Sequence, residues 1–464
     1  MGSIASAAWV EARGAACAAL WRTCSAPWAH PSRMYTGREQ RARESAYDRA
    51  LSDVQRLARP AARLNATQAE QRILAAFARF AAEALDLGPD AIDLLTHDFL
   101  PVGTCLARWA RSFDPGLSDA GIVQACRNAW TACGLQPLVG ERMCLTPAIL
   151  AYSLLYPYSD NYLDARLVTR AEKFAFNQRF RCRLQGERLV AATHHEVCVW
   201  RMVELIELEF DRVRYPQVYD SLLAIHAAQA SSVAQLEQCG SMSEDELLRI
   251  SCAKGGTSVL ADAALVLGAM SEDHADFAFA WGVLLQLGDD LQDVREDLRR
   301  GSDTLFTRAV RKGGLLDELV AQLLNFSGLV GARMDSLGNG SATHRALLRM
   351  SWRSLILMAV AEAQEFFSTA FLRELEPRSP FQFEFLRSRR EKLQGRSGLL
   401  QRLFDILLHS ESSSGASMLP DPTRHPSSLP SIAVLLSGPA GRVEGSAVAF
   451  HHAQLQNDSA TDVL

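Results

Sequence analysis

Strand signals are nearly missing from this chain of 464 residues. β-branched runs are scarce and no alternating apolar–polar stretch stands out, which points away from a sheet and towards an all-α body. No apolar run approaches the eighteen or so residues of a membrane span, so no transmembrane span is expected. The ten cysteines include no CxxC pair and no zinc-type spacing, which fits reduced, mostly buried thiols. An excess of one charge is missing too: a formal net charge of −5 gives no reason to expect nucleic acid or an anionic membrane surface. Acids are sparse at the start, where Glu11 is the only one before Glu39. That Ala/Ser/Arg-rich opening is faintly like a transit peptide, and Met1-Gly2 with Ser6 formally fits a myristoylation pattern. Alanine and arginine abound throughout the chain, however, and so short a motif arises easily by chance. The expectation is a flexible arm over residues 1–38 in a cytoplasmic protein.

Helical periodicity fills the rest. Apolar residues recur at three- and four-residue spacing over Arg41–Leu57, Thr67–Leu87, Ala91–Leu100, Val102–Phe113, Ser118–Cys133, Thr146–Asp164, Arg170–Arg183, Val190–Val213 and Gln217–Cys239. Ser243 with Glu246 makes a capping-box pattern. The helix it opens is expected to break at Gly255-Gly256 and resume to Gly268. Ser271–Arg300, Leu315–Leu337, His344–Leu375 and Gln382–His409 complete the set. The helical domain is thus expected over residues 39–409, with a Ser/Pro/Gly-rich disordered tail over 410–464.

Two acidic stretches organise that domain. In Leu285–Asp297, Asp289, Asp293 and Asp297 drift only about 40° per step along one helix face, flanked by Asp290 and Glu296. A solvated stripe is the ordinary reading of a charge run. Here the same face continues upstream as Gly282, Phe279, Ala278 and Ala275, which suggests a pocket wall with a charged rim. Carboxylates one turn apart repel by about 4 kcal/mol per close pair at an effective dielectric near 20. A bound cation relieves that repulsion, and oxygen-only ligands suit Mg²⁺.

The second stretch, Tyr156-Pro157-Tyr158-Ser159-Asp160-Asn161-Tyr162-Leu163-Asp164, sets Asp160 and Asp164 one turn apart with Asn161 beside them. Alone it is weak. Paired with the first across a bundle, it can hold metal at the mouth of an apolar cavity, which suits a ligand with a hydrocarbon chain and a polyanionic head. Lys254, at the expected glycine break where freed N–H groups could meet an anion, is the best cationic candidate, ahead of Arg249 and Arg295. His194-His195-Glu196 reads as structural, because adjacent helical histidines point about 100° apart.

These residues resemble the class I isoprenoid (terpenoid) synthase superfamily over about residues 60–405. Asp160-Asn161-Tyr162-Leu163-Asp164 is similar to its first D-D-x-x-D motif, with Asn161 replacing the second Asp. Gln286–Asp293 is similar to the Q-x-x-D-D-x-x-D of polyprenyl diphosphate synthases. Asp289, Asp293 and Asp297 match the register of the terpene-cyclase N-D-x-x-S-x-x-x-E motif, and Asp293–Asp297 resembles the D-x-x-E-D segment of squalene and phytoene synthases. Lys254 with Thr257 resembles the prenyltransferase Lys-Thr pair, though two glycines intervene. The resemblance implies a large single-domain bundle with a central apolar cavity. It implies Mg²⁺, three ions with Mn²⁺ as a substitute, held by Asp160, Asn161, Asp164, Asp289, Asp290, Asp293 and Asp297. Asp160 and Asp289 would be the principal catalytic pair, and Lys254, Arg249 and Arg295 would bind the substrate diphosphate. A homodimer is compatible with it.

Among the family's reactions the sequence meets the smallest requirement. Chain elongation needs a second, metal-free site for isopentenyl diphosphate, supplied in that family by a G-x-K-R stretch that is missing here and by arginines after the first motif, where only Arg166 follows closely. Head-to-head synthases carry D-x-x-x-D, a spacing that Asp160 and Asp164 share. The expected activity is terpene synthase: ionisation of a prenyl diphosphate, farnesyl diphosphate favoured, with Tyr156, Phe279 and Trp281 as pocket residues. A prenyltransferase and a non-catalytic prenyl-diphosphate-binding subunit are the alternatives.

Overall fold

The computed structural model describes residues 3–25, 33–57, 66–164, 168–232 and 242–394. Within these stretches the side chains of residues 57, 66, 67, 69, 70, 156, 160, 161, 163, 164 and 390–394 lie outside the description. The expected tail over 410–464 lies outside it entirely. Every regular element among the described residues is helical. In order they are α1 (Ala7–Thr23), α2 (Gly37–Leu57), α3 (Ala66–Glu83), α4 (Pro89–Asp93), α5 (Leu100–Phe113), α6 (Asp119–Leu135), α7 (Pro147–Asp164), α8 (Arg170–Leu184) and α9 (His194–Glu209). There follow α10 (Pro216–Ser232), α11 (Glu244–Leu267), α12 (Glu272–Gln292), α13 (Val294–Arg300), α14 (Leu305–Arg311), α15 (Asp317–Ser336), α16 (Ala342–Glu362), α17 (Thr369–Leu375) and α18 (Phe383–Gln394).

The antiparallel pair α11 and α12 forms the middle of the molecule and makes its most extensive helix contact. Ser251 meets Asp290 at one end of the crossing and Gly256 meets Phe279 further along. Backbones touch where they cross: a Cβ on Gly282 would lie 2.0 Å from the Gly255 carbonyl oxygen. Around this pair, α6 and α10 pack on α11, while α15 and α16 pack on α12. α7 lies between α6 and α9 and touches α11. A second, smaller apolar cluster joins α2 and α3 to the start of α18 through Ala46, Phe80, Ala84 and Phe381.

Several expectations are revised. The Gly255-Gly256 break does not form, since α11 runs unbroken from Glu244 to Leu267. Both glycines serve the close crossing with α12 instead. The capping box does form: the Ser243 hydroxyl accepts from Glu246 N (3.2 Å) and the Glu246 carboxylate accepts from Ser243 N (2.7 Å). Pro101 does not separate two helices either, because a π-helical turn at Leu94–Phe99 leads directly into α5, with the proline in its first turn where no N–H is needed. The expected Ser271–Arg300 helix ends at Gln292, turns at Asp293 (φ −89°, ψ 6°) and restarts as α13. α11 is also long and apolar enough to cross a bilayer, but most of it is buried inside the bundle, as in a core helix.

The largest departure is at the start of the chain. Residues 7–23, expected within a loose arm, form α1, packed across α11 and α12. Ser6 caps it. Trp9 meets the Phe279 ring edge-on at 5.8 Å and donates from Nε1 to Glu272 (3.1 Å). Arg13 pairs with Glu272 (2.7 Å) and Asp276 (2.9 Å).

Candidate functional site

The acidic end of α12 begins with Asp289 and Asp290, which successive positions on a helix turn in different directions. Asp289 is exposed. Asp290 is buried against α11, where its Oδ2 accepts from the Ser251 hydroxyl (2.9 Å) and its Oδ1 from Gln286 Nε2 (2.7 Å). Asp293 sits at the turn out of α12, and Asp297 lies in the first turn of α13. The helix break does not disconnect them, since Asp293 N still reaches Asp289 O and Asp297 N reaches Asp293 O, both at 2.8 Å.

Three of these acids, Asp290, Asp293 and Asp297, hold protons more tightly than an ordinary aspartate. Burial pushes Asp290 up to about 6, against hydrogen bonds from Gln286 and Ser251 and the nearby Lys254 ammonium. Desolvation and then the Asp289, Glu296 and Asp290 carboxylates push Asp293 to about 7, with the Arg127 guanidinium opposing. Asp293 is solvent-exposed as a residue, so the neighbouring carboxylates are the cause that weighs most there. Burial and then Asp293 raise Asp297 to about 6, against a hydrogen bond from Ser302 and the charges of Arg300 and Lys254.

The expected cations fare differently. Lys254 stays with the cluster, half-buried and acting on both Asp290 and Asp297, although no helix break stands beside it. Arg249 is exposed, with its Nε on the Asp245 carbonyl of its own helix (3.2 Å). Arg295 is engaged by Glu365 through two hydrogen bonds of 2.5 Å. Both arginines, expected to bind diphosphate, are thus engaged away from the acidic cluster in this structure. Arg127 of α6, acting on Asp293, is a cation the sequence reading missed.

The first motif lies at the C-terminal end of α7, which runs on through Pro157. The side chains of Tyr156, Asp160, Asn161 and Asp164 are outside the described ones, so their part in the expected site is an open prediction. The helix around them is fixed on two sides. Tyr158 donates its hydroxyl to Asp114 (2.6 Å), and Tyr162 stacks on His195 at 4.2 Å, with Phe176 closing the box. Burial lowers His195 to about 4, so this imidazole is a neutral ring in an aromatic box at neutral pH. On the other side, a Cβ on Gly121 would lie 3.4 Å from Pro157, while Asn128 Nδ2 reaches Ser153 Oγ (3.2 Å). α6 and α7 are therefore antiparallel. The same Asn128 Nδ2 donates to Asp262 Oδ1 on α11 (3.0 Å). With Arg127 acting on Asp293, these contacts bring the C-terminal ends of α7 and α12 to one end of the bundle.

Phe279 and Trp281, expected to line a pocket, are core side chains. Phe279 is closed between Trp9 and Gly256, and Trp281 packs with Phe277 and Trp352 at centroid distances of 5.6 and 5.5 Å. The apolar upstream face, expected as a pocket wall, is instead closed by α11 and α1 around Gly282 and Phe279. The apolar space that borders α7 is a crevice of about 20 Å³ among Tyr152, Leu155, Ser159, Phe180, Leu222 and Ile225, room for a single water.

No group of three or more His, Cys, Asp or Glu side chains is gathered closely enough to hold one metal ion among the described residues. Asp290, with both oxygens accepting hydrogen bonds, is a poor candidate ligand as it stands. Asp289, Asp293 and Asp297 carry the donor chemistry, oxygen ligands that suit a divalent cation, which would compete with the protons held by Asp293 and Asp297. Comparison of the chain with models of protein families, with curated proteins and with solved structures gives no match.

Proposed function

We propose that this chain is a Mg²⁺-dependent class I terpene synthase, which ionises a prenyl diphosphate and releases diphosphate. The observation that carries the reading is the crowd of mutually repelling carboxylates where α12 turns into α13, with Asp293 raised to about 7. Such a set is held at a cost in the absence of a cation and fits one well. Asp289, Asp293 and Asp297 would hold the metal from this side, and Asp160, Asn161 and Asp164 from α7. Bound there, the metal would neutralise charge building on the departing diphosphate. Lys254 and Arg127 would add direct positive charge to the same oxygens. Ser251, by donating to Asp290 from α11, holds the end of α12 in register with α11, while Gln286 of α12 itself occupies the other oxygen. A fifteen-carbon chain far exceeds the crevice beside α7, so that crevice as it stands is not its binding site.

A second reading, a prenyl-diphosphate-binding subunit without turnover, is favoured by Asn161 in place of an acid and by the engaged oxygens of Asp290. Incubation of the purified chain with prenyl diphosphates of ten to twenty-five carbons, with and without Mg²⁺, separates the two. The expected result is Mg²⁺-dependent diphosphate release with a hydrocarbon or alcohol product by mass spectrometry, and no need for isopentenyl diphosphate. Binding without release favours the second reading, and neither binding nor release ends both. Release that requires isopentenyl diphosphate makes the chain a prenyltransferase instead.

A further inference from the structure

A polar junction in the core takes no part in the site described above. Asp262 lies five residues before the C-terminal end of α11, within the run Leu260-Ala261-Asp262-Ala263-Ala264-Leu265, and it is wholly buried. Its Oδ1 accepts from Asn128 Nδ2 of α6 (3.0 Å), and its Oδ2 has no hydrogen-bond partner among the described residues. Asn128 Nδ2 also donates to Ser153 Oγ of α7 (3.2 Å), whose hydroxyl in turn donates to the Ile149 carbonyl (2.8 Å). One turn back along α11, Ser258 O accepts from the Tyr152 hydroxyl of α7 (3.2 Å). Three helices are therefore tied at one level by an acid, an amide and a hydroxyl.

An ionised carboxylate in that position would have one neutral donor and no paired cation, which a protein interior does not sustain. The titratable group facing it from α6 is the Cys133 thiol, itself held protonated by burial, and neither Asn128 nor Ser153 carries charge. Burial pushes the Asp262 carboxyl well above the usual carboxylate range, in keeping with that geometry.

The level of the junction is what gives it a role. Ser153 is seven residues before Asp160 on α7, and Asp262 is eight residues after Lys254 on α11. Because α6 is antiparallel to α7 and carries both Arg127 and Asn128, those intervals run towards the same end of the bundle. At 1.5 Å per residue they correspond to about 10 and 12 Å, two turns in each case. We propose that Asp262 is a neutral, hydrogen-bonded strut that fixes the height of α7 against α11, and with it the spacing between the two acidic motifs. It is a positioning residue that touches neither metal nor substrate, and its effect on turnover rests on the function proposed above.

Infrared difference spectra of the full chain against Asp262→Asn at neutral pH test the strut without any turnover. The expected difference is one protonated-carboxyl C=O band lost in the variant, and its absence overturns the proposal. Turnover is then read at varied Mg²⁺ in Asp262→Asn, which keeps the shape and a polar partner, and in Asp262→Leu, which keeps the volume alone. The Asn variant should hold its half-saturating Mg²⁺ within about twofold of the parent. The Leu variant should need about tenfold more, with a smaller change in the rate at saturation and an unchanged or higher unfolding midpoint. Equal Mg²⁺ requirements in the two variants overturn the positioning role. Should the parent chain release no diphosphate at all, the function above fails while the infrared band still decides the strut.

Discussion

Asp293 keeps its proton to higher pH than either Asp290 or Asp297, about 7 against about 6 for each, and on the function proposed above that ordering would gate cation binding by pH. An acid raised above its ordinary value of 3.8 binds protons on folding across the window from about 4 to about 7. Its contribution is therefore greatest at the acid side of that window and is lost as pH rises through the folded-state value. A divalent cation competes for the same oxygens, so it gains most where the protons have left. Thermal unfolding midpoints with and without Mg²⁺ should differ little at pH 5 and by a few degrees at pH 8. Asp293→Asn should flatten that rise. A Mg²⁺ effect independent of pH, or undiminished in Asp293→Asn, counts against the cluster as the binding site. All five acids of this stretch were legible from their spacing. Their division into exposed Asp289 and Asp293 and buried Asp290 was not, because it depends on Ser251, which lies 39 residues earlier in sequence. Asp262 carried a signal that went unread: a single acid in an otherwise apolar run, which a core helix tolerates only when the acid has a partner.

Elements were easiest to read where a local rule decides them. The Ser243–Glu246 box needs only its own four residues, and it forms. The Gly255-Gly256 pair was misread as a break because its cause sits on another helix, at Gly282 and Phe279, and one helix's sequence does not name its partner. Close approach of two backbones demands glycine on both sides, whereas a helix break would demand it on one. Gly282→Ala would put a methyl 2.0 Å from the Gly255 carbonyl oxygen and 2.7 Å from its carbonyl carbon, atoms that move only if the helices part. The expected loss is about 3 kcal/mol or more in urea unfolding, at or above the usual range for overpacking. Gly134→Ala is the control, since its nearest neighbour is the flexible tip of Leu348 at 3.4 Å, and it should cost less than about 1 kcal/mol. Equal, small losses in both variants would mean that α11 and α12 do not meet at these glycines.

At the scale of the whole molecule, the two ends of the described chain are built into its middle. Gln40 of α2 donates to the Glu376 and Ser379 carbonyls (3.0 and 3.1 Å), and Gln382 N donates to Glu44 (2.8 Å), so the second apolar cluster closes only when the far end of the chain arrives. α1 is held in the same way: Gln322 and Asn325 of α15 donate to the carbonyls of Trp21 and Cys24 at 2.6 and 2.9 Å. The alanine-, serine- and arginine-rich composition of the first 38 residues did not name the partners of α1, because the contacts that order it come from residues some 250 to 300 positions away. An arm that merely hung from the bundle could lose Trp9 without consequence. A helix that closes over Phe279 and secures Glu272 could not, and truncating a buried tryptophan costs about 3–5 kcal/mol. Trp9→Ala should therefore lower the unfolding free energy from urea titration by that amount and speed amide exchange in α11 and α12, while α9, which packs on α7 and α8, exchanges as before. Exchange that quickens only within α1 would show the helix to be a detachable strap. Exchange that quickens throughout α11 and α12 would make the N-terminal helix part of the scaffold that holds the acidic end of α12 in place.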